Sequence, residues 1–199
     1  MEQLLAPARV AGVPVDLARY ADNIGITPPG RLDAGAFNLW GNTFPADELP
    51  PPGEVMVHGI PFLFPAGPGG GPDNVRCAGQ LVEVPGGRYD WIQVLAAAER
   101  RTEDPVLLHF ADGTVDPEWL RVSDFWPETE ARFGERPAYR LSRLHYPRHV
   151  DRKFGPAIWR QRVPVTRETD LAAVRLPDNP AVHVFAMTLV PAAPQEVQE

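Results

Sequence analysis

Residues 105–125 read PVLLHFADGTVDPEWLRVSDF, and this stretch decides the fold. Pro105–Phe110 (PVLLHF) is a short apolar run of the kind that suits an extended strand. Ala111-Asp112-Gly113-Thr114 follows, and its Asp-Gly pair is a hairpin-turn signal, because glycine enters the left-handed region at little steric cost. Trp119–Phe125 (WLRVSDF) then supplies the returning strand.

The same grammar recurs on both sides of this hairpin. Gln80–Val84 (QLVEV) alternates with period two and stops at Pro85-Gly86-Gly87. Tyr89–Ala98 (YDWIQVLAAA) fits a buried strand or a short helix, and its context favours the strand. Ala157–Val165 (AIWRQRVPV) alternates again. Leu171–Leu176 (LAAVRL) and Ala181–Val190 (AVHVFAMTLV) are joined by the turn Pro177-Asp178-Asn179-Pro180. The second of these is apolar on both faces, as a central strand is. Glu54–Phe64 (EVMVHGIPFLF) reads as one more strand, with Gly59 and Pro61 marking a bulge or an edge break. About eight strands at this spacing predict an all-β fold, a two-layer antiparallel β-sandwich of jelly-roll-like form.

The remaining segments carry little pattern. Residues 1–20 fit a short helix or a strand. Residues 23–35 and the four-proline stretch 44–53 read as irregular crossings. Residues 66–73 (AGPGGGPD) form a loop, and Gly67–Gly71 lacks the Gly-Lys-Ser/Thr that would make it a phosphate cradle. Residues 127–156, charged and arginine-rich, read as one long loop, and residues 191–199 as a flexible tail. No internal boundary is apparent, so one domain is expected over residues 1–199.

Composition agrees with this. The chain holds 24 prolines and 17 glycines in 199 residues, which leaves little room for long helices. A net charge of -7 argues against nucleic acid or an anionic membrane as partner. The single cysteine, Cys77, excludes an intrachain disulfide and a cysteine-based metal cluster, and a buried thiol is expected. The N-terminus has no basic region and no apolar run of seven, and the chain holds no apolar run of 18, so a cytoplasmic address is expected.

A series of fragments resembles an accessory β-sandwich domain found beside catalytic modules in bacterial glycoside hydrolases. The matching pieces begin with Val15-Asp16-Leu17, Asn23 with Gly25-Ile26, Phe37 through Gly41, and Phe44-Pro45-Ala46 with Leu49-Pro50. They continue with Gly59, Pro61-Phe62, Asp73-Asn74-Val75, Gly79-Gln80, Ala111-Asp112-Gly113 and Ser123-Asp124. They end with Leu176-Pro177 and His183 through Leu189. The resemblance implies a jelly-roll-like sandwich in a carbohydrate-associated setting, here as a stand-alone protein. It does not imply catalysis, because that domain is an attachment.

Sugar recognition needs a flat ring for the apolar sugar face and carboxylates or amides for the hydroxyls. Trp40 sits between Asn38 and Asn42 in a loop, and Trp126 follows Asp124 at a strand end. As loop rings these two have more reason to be exposed, although core packing is still the commoner fate, whereas Trp91, Trp119 and Trp159 lie within strands and are expected in the core. His145-Tyr146-Pro147-Arg148-His149 has H-x3-H spacing, which on a helix would offer two imidazoles to zinc, with His58, His109 or His183 as a third ligand. Pro147 disfavours that helix, so solvated loop histidines are the plainer reading, and neither a metal nor a cofactor is expected. If the loop folds over the sandwich, His145, His149 and Asp124 are the acid–base candidates. Arg140, Arg143, Arg148, Arg152 and Lys153 offer an anion site or a solvated charged loop. Asp73-Asn74 suits an Asx-turn better than calcium, and Asp90, Glu99 and Asp124 include a carboxylate pair only if the fold brings two together.

The expected ligand set is Trp40, Asn42, Asp124, Trp126, His145, Arg148 and His149. The expected function is non-catalytic binding of a carbohydrate or glycosylated small molecule inside the cell. The alternative is a small tailoring or cyclising enzyme whose pocket is capped by residues 127–156. A third reading is a protein-interaction module, for which a homodimer through exposed sheet edges or faces is the simplest form.

Overall fold

The computed structural model describes residues 10–65, 71–126 and 130–193. Within them the chain forms strands β1 (Val13–Val15), β2 (Ile26–Thr27), β3 (Phe44–Pro45), β4 (Gly53–Val57), β5 (Ile60–Phe64), β6 (Val75–Arg76), β7 (Leu81–Gly87) and β8 (Tyr89–Ala98). It continues with β9 (Thr102–Phe110), β10 (Val115–Val122), β11 (Arg136–Arg140), β12 (Leu144–Tyr146), β13 (His149–Asp151), β14 (Ala157–Pro164), β15 (Leu171–Arg175) and β16 (Val182–Pro191). One turn of 3-10 helix spans Ala46–Glu48. No helix among the described residues is long and apolar enough to cross a membrane.

The hairpin at residues 105–125 forms as expected. β9 and β10 pair antiparallel from Val115↔His109 to Val122↔Thr102. In its turn, Asp112 Oδ1 accepts from the Thr114 amide at 2.9 Å, and Gly113 takes φ +85°. This hairpin is half of a sheet ordered β10-β9-β15-β7. A second sheet runs β1-β16-β8-β14-β11, with β6 also paired to β16.

The two sheets face each other across one core. Ile92, Val94, Ala96 and Ala98 of β8, with Trp159 and Val163 of β14, meet Leu108, Phe110, Leu120 and Val174 from the other sheet. The opposite face of β8 and β16 is buried too. Leu95, Ala97, Phe185 and Ala186 pack under Phe37, Phe44, Phe62, Leu141 and Leu144. Short pairs supply that cover: β4–β5, β12–β13, and β2–β3, which is parallel. A register shift between Val184 and Ala186 turns both Phe185 and Ala186 to the covered face. Covering on both sides explains why β8 and β16 are mostly apolar on both faces, as strands buried on two faces are. The all-β sandwich is therefore observed, with an extra partial layer on one sheet.

Several local expectations are corrected. Glu54–Phe64 is not one strand but a hairpin, turned by His58 and Gly59 at φ +50° and +82°. Two successive left-handed residues make the two-residue turn whose twist suits a hairpin. Residues 127–156 are not one loop. β11 extends the β14 edge of its sheet, and β12–β13 is a short hairpin. Residues 127–129 lie outside the described residues. The strand count is accordingly sixteen among the described residues, because six of them have three residues or fewer and escape periodicity. Trp159 is fully buried as expected, but Trp119 is 50% exposed on an outward face of β10, and Trp91 is only half-buried beneath the Arg162 guanidinium. The expected tail starts later than Pro191: that residue ends β16, and the Ala192 amide donates to Arg88 O at 3.0 Å. Residues 1–9, most of the 66–73 loop and residues 194–199 lie outside the described residues.

Candidate functional site

At the end of β8 the chain leaves one sheet for the other through Glu99 and Arg100, and loops from three other parts of the chain converge there. The first is residues 37–43. Asn38 Oδ1 accepts from the amides of Trp40 at 3.0 Å and Asn42 at 3.2 Å, while Asn38 Nδ2 donates to Asn42 Oδ1 at 3.0 Å. The Gly41 amide donates to Asn38 O, and Gly41 takes φ +68°. A Cβ on Gly41 would lie 2.6 Å from the Pro147 side chain, so the loop is also pressed against the β12–β13 turn. This turn holds Leu39 and Trp40 outward, 93% and 71% exposed.

The second loop follows β10. Asp124 forms an isolated parallel bridge with Ala98, and the Phe125 amide donates to Ala98 O at 2.9 Å. Asp124 O accepts from Trp159 Nε1 at 3.0 Å, which ties this loop to the buried indole. Asp124 Oδ1 accepts from the Trp126 amide at 2.9 Å; Oδ2 has no hydrogen-bond partner among the described residues. The Trp126 ring rests on Phe154 at 5.0 Å between centroids. The third contribution is Tyr146 of β12, stacked on His149 at 4.6 Å and 8°.

Together these enclose a cleft of about 370 Å³. Trp40, Trp126 and Tyr146 supply rings; Asn38, Asn42 and Asp124 supply polar groups; Glu99 and Arg100 complete the wall. Arg100 adopts φ +71°, a left-handed conformation unusual for a side chain this large. Four of the seven residues expected at the site therefore line it: Trp40, Asn42, Asp124 and Trp126.

The other three do not. His145 is fully buried, its Nδ1 3.0 Å from Thr27 Oγ1, and Thr43 Oγ1 lies 2.5 Å from the same hydroxyl. Burial, helped by Arg143, holds the His145 imidazole below its usual pKa against the opposing pull of Asp47 and Glu48. His149 touches the cleft only through its stack on Tyr146, and Arg148 is exposed in the β12–β13 turn. The H-x3-H spacing fails because these residues form a hairpin. Tyr146 pairs with His149 and His145 with Val150, so the two imidazoles fall on opposite faces. No group of three His, Cys, Asp or Glu side chains among the described residues is placed to hold a metal.

A larger, mainly apolar cavity of about 450 Å³ lies by Leu17, Leu63, Phe64 and Phe185, with Asp73 and Asn74 on its wall. Those two polar residues are already committed. Asp73 accepts from the Gly25 and Ile26 amides at 2.9 and 3.0 Å and from Asn74 Nδ2 at 2.7 Å, and Asn74 Oδ1 lies 2.7 Å from His183 Nδ1. These bonds reach across the fold instead of closing the expected local Asx-turn, and they leave little polar capacity for a ligand.

Sequence reasoning missed Tyr146 and Arg100. Tyr146 was masked by the charged residues around it, and nothing local marks Arg100 as left-handed. Glu99 and Asp124 both line this cleft, and Asp90 does not.

Fold and cleft together define a β-sandwich domain with a ring-edged recess where one sheet hands the chain to the other. The chain matches the AziU2-like beta-sandwich domain model over residues 11–193, and it belongs to that family. The match bears out the sandwich that the resemblance implied and carries no link to glycoside hydrolases. No curated protein matches the chain.

Proposed function

We propose that this domain is a non-catalytic binding module for a carbohydrate or glycosylated small molecule, working inside the cell. The observation that carries the reading is the cleft edged by Trp40, Trp126 and Tyr146 beside Asp124. A sugar ring presents an apolar face to an indole and hydroxyls to a carboxylate, and Asp124 Oδ2 is available to accept from them. Asn38 and Asn42 contribute shape more than hydrogen bonding, since their amides hold the loop. The net charge of -7 favours a neutral or cationic ligand over nucleic acid or an anionic membrane.

Calorimetry against hits from a glycan array tests this. Trp40→Ala and Trp126→Ala should each weaken binding about 3- to 10-fold, in line with about 0.5–1.5 kcal/mol for a ring contact. An array without hits, or affinity unchanged in both variants, overturns the reading.

One observation favours the enzyme alternative: Glu99 and Asp124 both line the cleft. Paired carboxylates are the groups that acid–base work on a glycoside requires. Turnover of a bound ligand that disappears in Glu99→Gln and Asp124→Asn while binding persists would select the enzyme. Stable, unmodified ligand selects the binding module.

A further inference from the structure

A second recess lies on the covered side of the larger sheet, toward its β11 edge, and shares no wall residue with the aromatic cleft. Its volume is about 240 Å³. Arg136 of β11 pairs in register with Arg160 of β14, and Arg162 lies two residues along on the same face. Gln93 of β8 is the register partner of Arg162. Gly134 and Gln161 complete the wall.

Three guanidiniums thus line one small recess in a chain whose net charge is -7. Some arginines elsewhere find carboxylates: Arg143 pairs with Asp47 and Glu48, Arg167 with Asp116, and Arg121 with Glu103. Among the described residues, no carboxylate oxygen comes within 4.0 Å of Arg136, Arg160 or Arg162. Like charges gathered without a counter-charge repel one another, and the arrangement is costly unless an anion occupies it.

One buried donor marks the same place: Arg160 Nε is buried without a hydrogen-bond partner among the described residues. Buried donors are ordinarily satisfied, so an orphaned guanidinium N–H beside two more guanidiniums calls for an acceptor. Burial, then Arg136 and Arg162, pull the Arg160 guanidinium below its usual pKa; His58 in the β4–β5 turn is lowered by burial and by Arg160 and Arg136. His58 therefore feels the same positive field. Arg162 is steadied by the Trp91 ring, with its guanidinium carbon 4.4 Å from the ring centre.

We propose that Arg136, Arg160, Arg162 and Gln93 form a binding site for a small oxyanion, the phosphate or carboxylate group of a ligand. Guanidinium forks match both groups through paired N–H donors, and an amide adds a further donor. This site stands independently of the aromatic cleft.

Calorimetry and thermal unfolding with inorganic phosphate and with malonate, against sodium chloride at matched ionic strength, test it. Saturable binding with a rise in Tm is expected for at least one of the two, and which one identifies the group. Arg160→Gln, Arg162→Ala and Arg136→Ala should each weaken binding about 10- to 100-fold, the range for losing a hydrogen bond to a charged group. Arg19→Ala, an exposed site paired with Glu83, should bind as the wild type does. If Arg160→Gln does not fold, the two exposed arginines decide the matter. No saturable binding, a chloride effect of equal size, or unchanged affinity in the Arg136 and Arg162 variants overturns the proposal.

Discussion

His183 shows how far burial alone can move a single side chain. It sits on β16 with Nδ1 against Asn74 and the Phe37 ring 4.3 Å away, and burial, then Arg76, lowers its pKa to about 3. Its folded value lies below the unfolded value of about 6.5, so the stability it contributes is fully present above that pH. That contribution is lost as pH falls toward 3, by roughly 4–5 kcal/mol in all. Asp73, one link away through Asn74, works in the opposite direction. Burial raises its carboxyl to about 6 despite the N–H donors from Gly25, Asn74 and Ile26, so its contribution is present below about 4 and fades as pH rises through 6. The two oppose each other between about pH 4 and 6. Urea unfolding across pH 3–7 should show the acid limb flattened in His183→Gln relative to wild type. NMR should find the His183 ring neutral at pH 5. A His183 that titrates near 6.5 contradicts this account of the buried relay.

At the scale of an element, the loop 37–43 is the part of the cleft most exposed to a single change. Gly41→Ala meets both a positive φ and the Pro147 side chain at 2.6 Å. A loss of about 1–2 kcal/mol in stability is expected, from the left-handed strain alone, together with weaker binding in the cleft. Equal stability and affinity in the variant would show that the loop is not held as described. The elements legible in sequence were those whose pattern is carried by five or more residues: QLVEV in β7, PVLLHF in β9 and AVHVFAMTLV in β16. β2, β3, β6, β12 and β13 have two or three residues each, too few for a period to show. The β4–β5 hairpin was hidden because His58, with no glycine-like signal, takes the first left-handed position of its turn. Trp40 and Trp126 were legible as residues of the candidate cleft because each sits beside polar loop residues outside the strand pattern. His145 was not, because its burial depends on β12 packing under residues over a hundred positions away, at Thr27 and Thr43.

The whole molecule is organised around one sheet that is covered on both faces, by a full second sheet on one side and short strand pairs on the other. That asymmetry places the cleft. The chain can change sheets after β8 only at the rim, and there the loops of the partial layer meet the end of the full one. It also places the oxyanion recess, on the covered face at the β14–β11 edge. The cleft as a recognition site is the claim on which the functional reading turns. The five tryptophans give it a direct measure through their indole N–H signals in a ¹H–¹⁵N NMR titration with an array-selected glycan. Saturable shifts at Trp40 and Trp126, with Trp91 and Trp119, neither of which lines the cleft, unmoved, are the predicted result. A bound glycan that leaves Trp40 and Trp126 unshifted, or moves the other indoles instead, contradicts it.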